Sequence, residues 1–192
     1  MANGRVITGF SKPYVALYTA SEGVVTYSNG QVLARGVEVQ VEPEATEDNK
    51  FYADNLVAEN EAGIFTGGTL TLTVDGLKDA ANKLIYGLPA AVDGWYDYDN
   101  TQVIPHVGVG FVVRVQEAGA VSYVPMILTK TMFNESGTNA ATQEDQIDWQ
   151  TQELTAQILR DDTAKQCWKK LGEEETTEAA AEAAIKTFLN IL

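Results

Sequence analysis

Cysteine and histidine each occur once in the 192 residues, as Cys167 and His106. A single cysteine makes no internal disulfide, and one Cys with one His does not build the usual zinc site. Basic residues are also scarce. Lys and Arg number 13 against 27 Asp and Glu, for a formal net charge of −14. That balance argues against gripping a phosphate backbone by charge, because counterion release needs a basic face. With 5 Pro and 16 Gly the chain is neither low-complexity nor collagen-like. No apolar run approaches the roughly 18 residues that a membrane span needs. Met1 to Arg5 are followed by no apolar stretch of the secretory kind, so no signal peptide and no membrane anchor are expected.

The residues that are abundant favour strands. Val (19), Thr (19) and Ile (9) supply β-branched side chains, and 45% of the chain is hydrophobic, which excludes disorder. The length fits one domain over 1–192. Residues 69–74 alternate strictly, with Leu70, Leu72 and Val74 on one face and Thr69, Thr71 and Thr73 on the other. Asn29-Gly30 predicts a tight hairpin turn within 26–33. A longer hairpin is expected from the row Val107, Val109, Phe111, Val113 and Val115, a turn at 117–120, and a return arm through 121–129. Pro125 marks a bulge or an edge in that arm. Residues 147–160 predict another long strand, with Ile147, Trp149, Thr151, Glu153 and Thr155 on its mostly polar row. A short partner strand is expected at 164–170.

Two helices are predicted. One spans about 77–86, capped by Asp75 and ended by Gly87, with Leu77, Ala80, Ala81, Leu84 and Ile85 as its apolar stripe. The other spans about 176–190, with Glu173, Glu174, Glu175 and Glu178 at its positive end and a Glu182–Lys186 pair. Its expected buried stripe is Ala181, Ile185, Phe188, Leu189 and Leu192. The expected fold class is mainly β, a β-sandwich or open barrel of antiparallel strands with helices packed on it. Many long Thr-faced strands with little edge protection leave backbone groups that a ring of copies would satisfy.

Catalytic constellations are sparse. Cys167 and His106 fall in separate strand candidates with nothing to activate the thiol. Beside Asp93, Asp97 and Asp99 the glycine, Gly94, is wrongly placed for a calcium loop, and no bidentate Glu follows at the required distance. Trp95, Tyr96 and Tyr98 beside them read as a solvated aromatic loop or, alternatively, as a sugar-stacking platform of a carbohydrate-binding module. Gly67-Gly68 and Asp75-Gly76 match no phosphate loop. No catalytic residue, metal or cofactor is therefore expected. The stretch 43–63 is longer than an ordinary connection and holds an apolar kernel, Phe51-Tyr52-Ala53 and Leu56-Val57, amid charges. It reads as an arm that docks on a partner, with a self-packed β-excursion as the alternative.

Several strings resemble the major tail protein (tail tube) family of long-tailed phages and prophages of Gram-positive bacteria. They are Asn3 to Ala16, Glu42-Pro43-Glu44, Asn49 to Asn55, Gly63 to Leu77, Gln143-Glu144 with Ile147 to Ala156, and the acidic helix after Trp168 to Gly172. The likeness spans essentially the whole chain, with the 93–102 loop contributing least. It implies a structural virion protein assembled in the host cytoplasm, in hexameric rings stacked into a hollow tube, without catalysis. It implies as partners further copies of itself, a tape measure protein, a tail terminator and distal tail proteins, with DNA crossing the lumen unbound. Phe51, Tyr52, Ala53, Asp54, Asn55, Leu56 and Val57 match the family's ring-stacking loop. Thr69, Thr71, Thr73, Thr151, Glu153 and Thr155 are the candidates for lumen or inter-subunit surface. Six copies would carry a formal charge of −84 (6 × −14), and acids on the lumen wall would repel phosphates within about 8–10 Å in physiological salt.

Overall fold

The computed structural model describes residues 4–191 apart from 54, 139, 141 and 143–148. Eight antiparallel strands form one main sheet, in the order β2 (Val24–Val32), β1 (Arg5–Ser21), β7 (Val107–Glu117), β8 (Ala120–Phe133), β9 (Gln152–Leu159), β6 (Phe65–Val74) and β3 (Gly36–Ala45). The eighth, β10 (Lys169–Leu171), pairs with β8 beside β9. Strands β4 (Asn49–Ala53) and β5 (Leu56–Glu61) make a separate two-stranded hairpin. Helix α1 (Asp79–Tyr86) follows β6, and α2 (Glu178–Phe188) ends the fold. The protein is thus mainly β, as its β-branched content predicts, and the sheet curls without closing into a barrel.

The alternating rows decide which face is inside. Leu70, Leu72 and Val74 of β6, Leu154, Ala156 and Ile158 of β9, and the odd-numbered row of β7 from Val107 to Val115 are buried on the concave face. Each large side chain so removed from water contributes roughly 1.5–3 kcal/mol. Ile85 and Ala81 of α1 close this core. A second core lies on the opposite face, where Ala181, Ile185 and Leu189 of α2 cover Tyr14, Ala16, Val112 and Ile127. Gly108 and Gly110 of β7 make room for it. A Cβ on Gly110 would stand 2.5 Å from Ile185 Cγ2, and one on Gly108 would stand 3.1 Å from Leu189 Cδ2. The helix side chains Ile185 and Leu189 rest there directly against the sheet backbone.

Several sequence expectations shift. The Asn29-Gly30 turn does not form. β2 runs straight through it, Asn29 takes φ 52°, and the register slips between Val15 and Leu17 opposite, so the pair is absorbed in a bulge. The hairpin turns instead at Glu22-Gly23, with φ 51° and 78°. The hairpin β7–β8 turns at Ala118-Gly119, as expected. Pro125 keeps register with Val112 on the β7 side, and its carbonyl accepts from Gly172 N (2.8 Å) just beyond the last β10 pair. Its missing N–H therefore falls at a local edge.

Asp75 does not cap α1. Its carboxylate takes Arg35 N (2.9 Å) and Arg35 Nε (2.5 Å), and α1 starts later, after Lys78. Gly87 ends the helix in the left-handed conformation, as predicted. Ala80 of the expected stripe is exposed, and Tyr86 is buried in addition to Ala81 and Ile85. Helix α2 is capped by Thr177, whose side chain accepts from Ala180 N. Glu182 and Lys186 pair at 2.8 Å, and Leu192 lies outside the described residues. The predicted 147–160 strand narrows to β9, and the predicted 164–170 strand to β10. Ile147 lies outside the described residues, while Trp149 and Thr151 precede the strand and are exposed.

Candidate functional site

The outer face of the sheet divides into two halves. Over β1, β7 and β8 it is covered by α2, whereas over β9, β6 and β3 no helix covers it among the described residues. On the bare half the register aligns three polar rows. Thr73 pairs with Glu38 and Glu153, Thr71 with Gln40 and Thr155, and Thr69 with Glu42 and Gln157. Thr69, Thr71, Thr73, Glu153 and Thr155 thus lie together on one surface, as their alternation predicts. Thr151 does not join them, because β9 begins at Gln152. The contribution of β3, with Glu38 and Glu42, was not among the sequence candidates. Its alternation of Val37, Val39 and Val41 with Glu38, Gln40 and Glu42 was the available signal. None of these three glutamates makes an ion pair among the described residues, so this face presents uncompensated negative charge.

Open backbone borders that face. β3 is one of the sheet's two outermost strands, with β2 at the other end, and Pro43 near its end restricts any added strand to the stretch before it. β1 is kinked at Lys12-Pro13, where Lys12 takes φ 56° and the register slips between Ser11 and Tyr14. Past the kink β1 lies between β2 and β7, but residues 5–11 pair with β7 alone. The free stretches of β1 and β3 curl towards each other and meet where Gly36 lies under Phe10. A Cβ at Gly36 would stand 2.2 Å from the Phe10 ring, so only glycine allows this approach. Apolar side chains remain exposed along these borders, Ile7 by 71% and Val37 by 57%.

The 43–63 stretch is largely ordered as strand. β3 extends to Ala45, and β4 and β5 pair with each other through Ala53↔Leu56, with Asn55 at φ 62° in the turn. Asp54, and the side chains of Phe51, Tyr52, Ala53 and Val57, lie outside what is described, while Leu56 is exposed. The hairpin therefore forms as a β-excursion detached from the main sheet, and its β3 root is fixed by Thr46 N to Ile64 O (2.9 Å) and Gly63 N to Asp48 Oδ1 (3.1 Å).

His106 and Cys167 are not brought together by a hydrogen bond. Both lie just outside strands, preceding β7 and β10. His106 stands against the Tyr18 ring, and burial, with Lys130 adding to it, lowers its pKa. The Cys167 carbonyl accepts from Thr129 Oγ1 (2.7 Å) and Asp161 N (2.8 Å). A polar cluster surrounds Tyr18 of the second core. Its hydroxyl donates to Asp162 Oδ2 (2.8 Å), which also pairs with Lys130 (2.7 Å). Burial first, and that carboxylate as well, push the Tyr18 hydroxyl up to about 12. Among the described residues no group of three or more His, Cys, Asp or Glu could hold a metal ion, and no helix is long and apolar enough to cross a membrane.

In the aromatic loop, Trp95 is exposed but Tyr96 is half-buried, with Lys83 Nζ 4.5 Å over its ring. The Tyr98 hydroxyl accepts from Asn82 Nδ2 (3.0 Å). Asp99 accepts from Thr101 N and Oγ1, which holds its carboxyl below the usual range. Neither the family models nor the curated proteins compared with this chain match it.

Proposed function

We propose that this chain is the repeating subunit of a phage tail tube, a structural virion protein that closes its sheet by pairing with copies of itself around a lumen that DNA crosses. The observation that carries this reading is the open sheet. Residues 5–11 of β1 and residues 36–42 of β3 present unpaired backbone with exposed apolar side chains, next to a bare face of threonines and glutamates. Unpaired edges of this length are ordinarily blunted in a monomer, and joining copies around a ring satisfies them all. The acidic Thr face then becomes wall, and its three glutamates give eighteen carboxylates in a ring of six. DNA slides past such a wall because nothing on it neutralises phosphate. The detached β4–β5 hairpin serves as the element reaching from one ring to the next. The likeness of the sequence strings to tail tube proteins supports the same reading, and with it the tape measure, terminator and distal tail proteins as partners, and no catalysis or cofactor.

Negative-stain electron microscopy of the purified protein over a rising concentration series tests this. Rings or short tubes with a central hole are expected, and a chain lacking residues 48–56 is expected to stop at single rings or below. A wild-type chain that stays monomeric into the millimolar range would sink the proposal. The alternative reading, a carbohydrate-binding module, rests on Trp95 and Tyr98 alone, because Tyr96 is turned inward under Lys83.

A further inference from the structure

The 88–106 connection carries a small built feature in its first half. Val92 and Trp95 exchange two backbone hydrogen bonds, each 2.9 Å, across Asp93 (φ 51°) and Gly94 (φ 85°). This is a two-residue turn of the primed kind, and its hydrogen-bonded pair projects both side chains to the same side. The tip therefore offers Val92 (63% exposed) and Trp95 (76% exposed) as one rigid apolar prong. The loop behind it is anchored. Tyr96 packs against the first core, and Tyr98 is bonded to Asn82 of α1. Three aspartates, Asp93, Asp97 and Asp99, flank the prong, and no Lys or Arg occurs from Leu88 to Pro105.

A matching recess lies elsewhere on the same chain. The seam between the free parts of β1 and β3 opens into the first core as a cleft of about 490 Å³, lined by Ile7, Phe10, Val37, Val39, Val41 and Lys169. That volume suits an indole with a neighbouring aliphatic group. Its electrostatics are unusual for so acidic a chain. Lys169 lies in the lining over the Trp168 ring. It makes no ion pair among the described residues, and Glu38 is the one acid in the lining.

We infer that the Val92–Trp95 prong of one copy seats in the β1–β3 cleft of a second copy, closing the seam that its own sheet leaves open. The occupant is a second copy because prong and cleft coexist uncovered on one chain, and the aspartates beside the prong suit Lys169, the one cation in the cleft lining. Donor and acceptor patches differ, so the contact is head-to-tail and propagates into rings or filaments. A buried Trp at the centre of such a contact, rimmed by charges, is the usual anchor of an interface. The inference rests on the self-assembly reading above and adds to it the residues of one contact.

The decisive test places a photo-crosslinking p-benzoyl-phenylalanine at position 95 of the full chain, which keeps an aromatic prong, and maps the crosslinked peptides of assembled protein by mass spectrometry. Crosslinks to residues 5–11 or 36–42 of another copy are expected. In parallel, Trp95→Ala and Ile7→Asp alter side chains that are mostly exposed, so both variants fold. Each is expected to raise the concentration for half-assembly at least tenfold. Crosslinks confined to other surfaces, or Trp95→Ala assembling at the wild-type concentration, would overturn this contact while leaving the tube reading in place. Glycan binding lost in Trp95→Ala with assembly unchanged would assign the prong to a sugar instead. A wild-type chain that never assembles would overturn both readings.

Discussion

The seat of α2 offers the sharpest quantitative test, because helix and sheet touch there without slack. Ile185 is fully buried, between Ala181 and Leu189 on the helix and above Gly110 and Ile127 on the sheet. Ile185→Ala deletes three carbons, a transfer loss of roughly 2.4 kcal/mol at about 0.8 kcal/mol each. The cavity left beneath the helix adds to that, for a total of about 3–4 kcal/mol. Gly110→Ala does the reverse. Its new Cβ would stand 2.5 Å from Ile185 Cγ2 and 2.8 Å from Ile127 Cδ1, and overpacking of that kind costs about 1–3 kcal/mol. Together the two changes are partly complementary, since the added methyl enters the space that the deletion empties. The double variant should therefore be less destabilised than the sum of the singles, by more than about 0.5 kcal/mol. Urea denaturation of all four proteins, followed by tryptophan fluorescence at concentrations where the chain is dissociated, reads the cycle. Additive losses within about 0.3–0.5 kcal/mol, or a loss below about 1 kcal/mol for Ile185→Ala, would refute the direct helix-on-glycine contact.

Other outcomes follow from the same geometry. Replacing Glu38, Glu42 and Glu153 together by Lys leaves folding nearly unchanged, because all three are exposed, and turns the bare face basic. On the proposed tube reading, tubes of this variant are expected to retain DNA in a salt-dependent manner and to slow its ejection, and unchanged DNA passage through tubes with confirmed lumen lysines would refute the proposed wall. The Glu182 carboxyl is held down to about 2 by Lys186 first and the Tyr14 hydroxyl next, so its stabilisation is complete above its ordinary value near 4.5 and is lost as pH falls to about 2. Glu182→Gln should accordingly melt below the wild type at pH 7 and converge with it over that window; a gap constant with pH would count against the pairing. Gly36→Ala should lose about 1–3 kcal/mol by displacing the Phe10 ring from the seam, with partial recovery in Gly36→Ala/Phe10→Leu measured by chemical denaturation.

Legibility in the sequence followed the range of the interactions concerned. The alternation of 69–74 and of 107–115 marked inward and outward rows because the side-chain period of a strand is fixed by its own backbone. Gly87 marked the end of α1 because a left-handed cap is a local requirement. Asn29-Gly30 misled for the opposite reason. Its chemistry permits a positive φ, but whether that φ makes a turn or a bulge depends on β1, where Ala16 alone stands opposite Asn29 and Gly30. Asp75 likewise had the right position for a cap, yet Arg35, forty residues earlier, offers it a charged partner. The small even-numbered residues of β7, Gly108 and Gly110, carried no local message, since their role appears only when a helix seventy residues later lies on them.

The sequence by itself determined the strand-rich class, the two helices, the polar Thr row, and a chain with a single Cys and a single His, because composition and period act through neighbouring residues. Only the tertiary structure decided which strands stand at the borders of the sheet, that β3 adds Glu38 and Glu42 to the acidic face, and that β1 and β3 leave a cleft between them. Those features are set by register and curl. These depend on bulges at Lys12-Pro13 and Asn29, on close approaches at Gly36 and Gly110, and on pairings between residues a hundred positions apart.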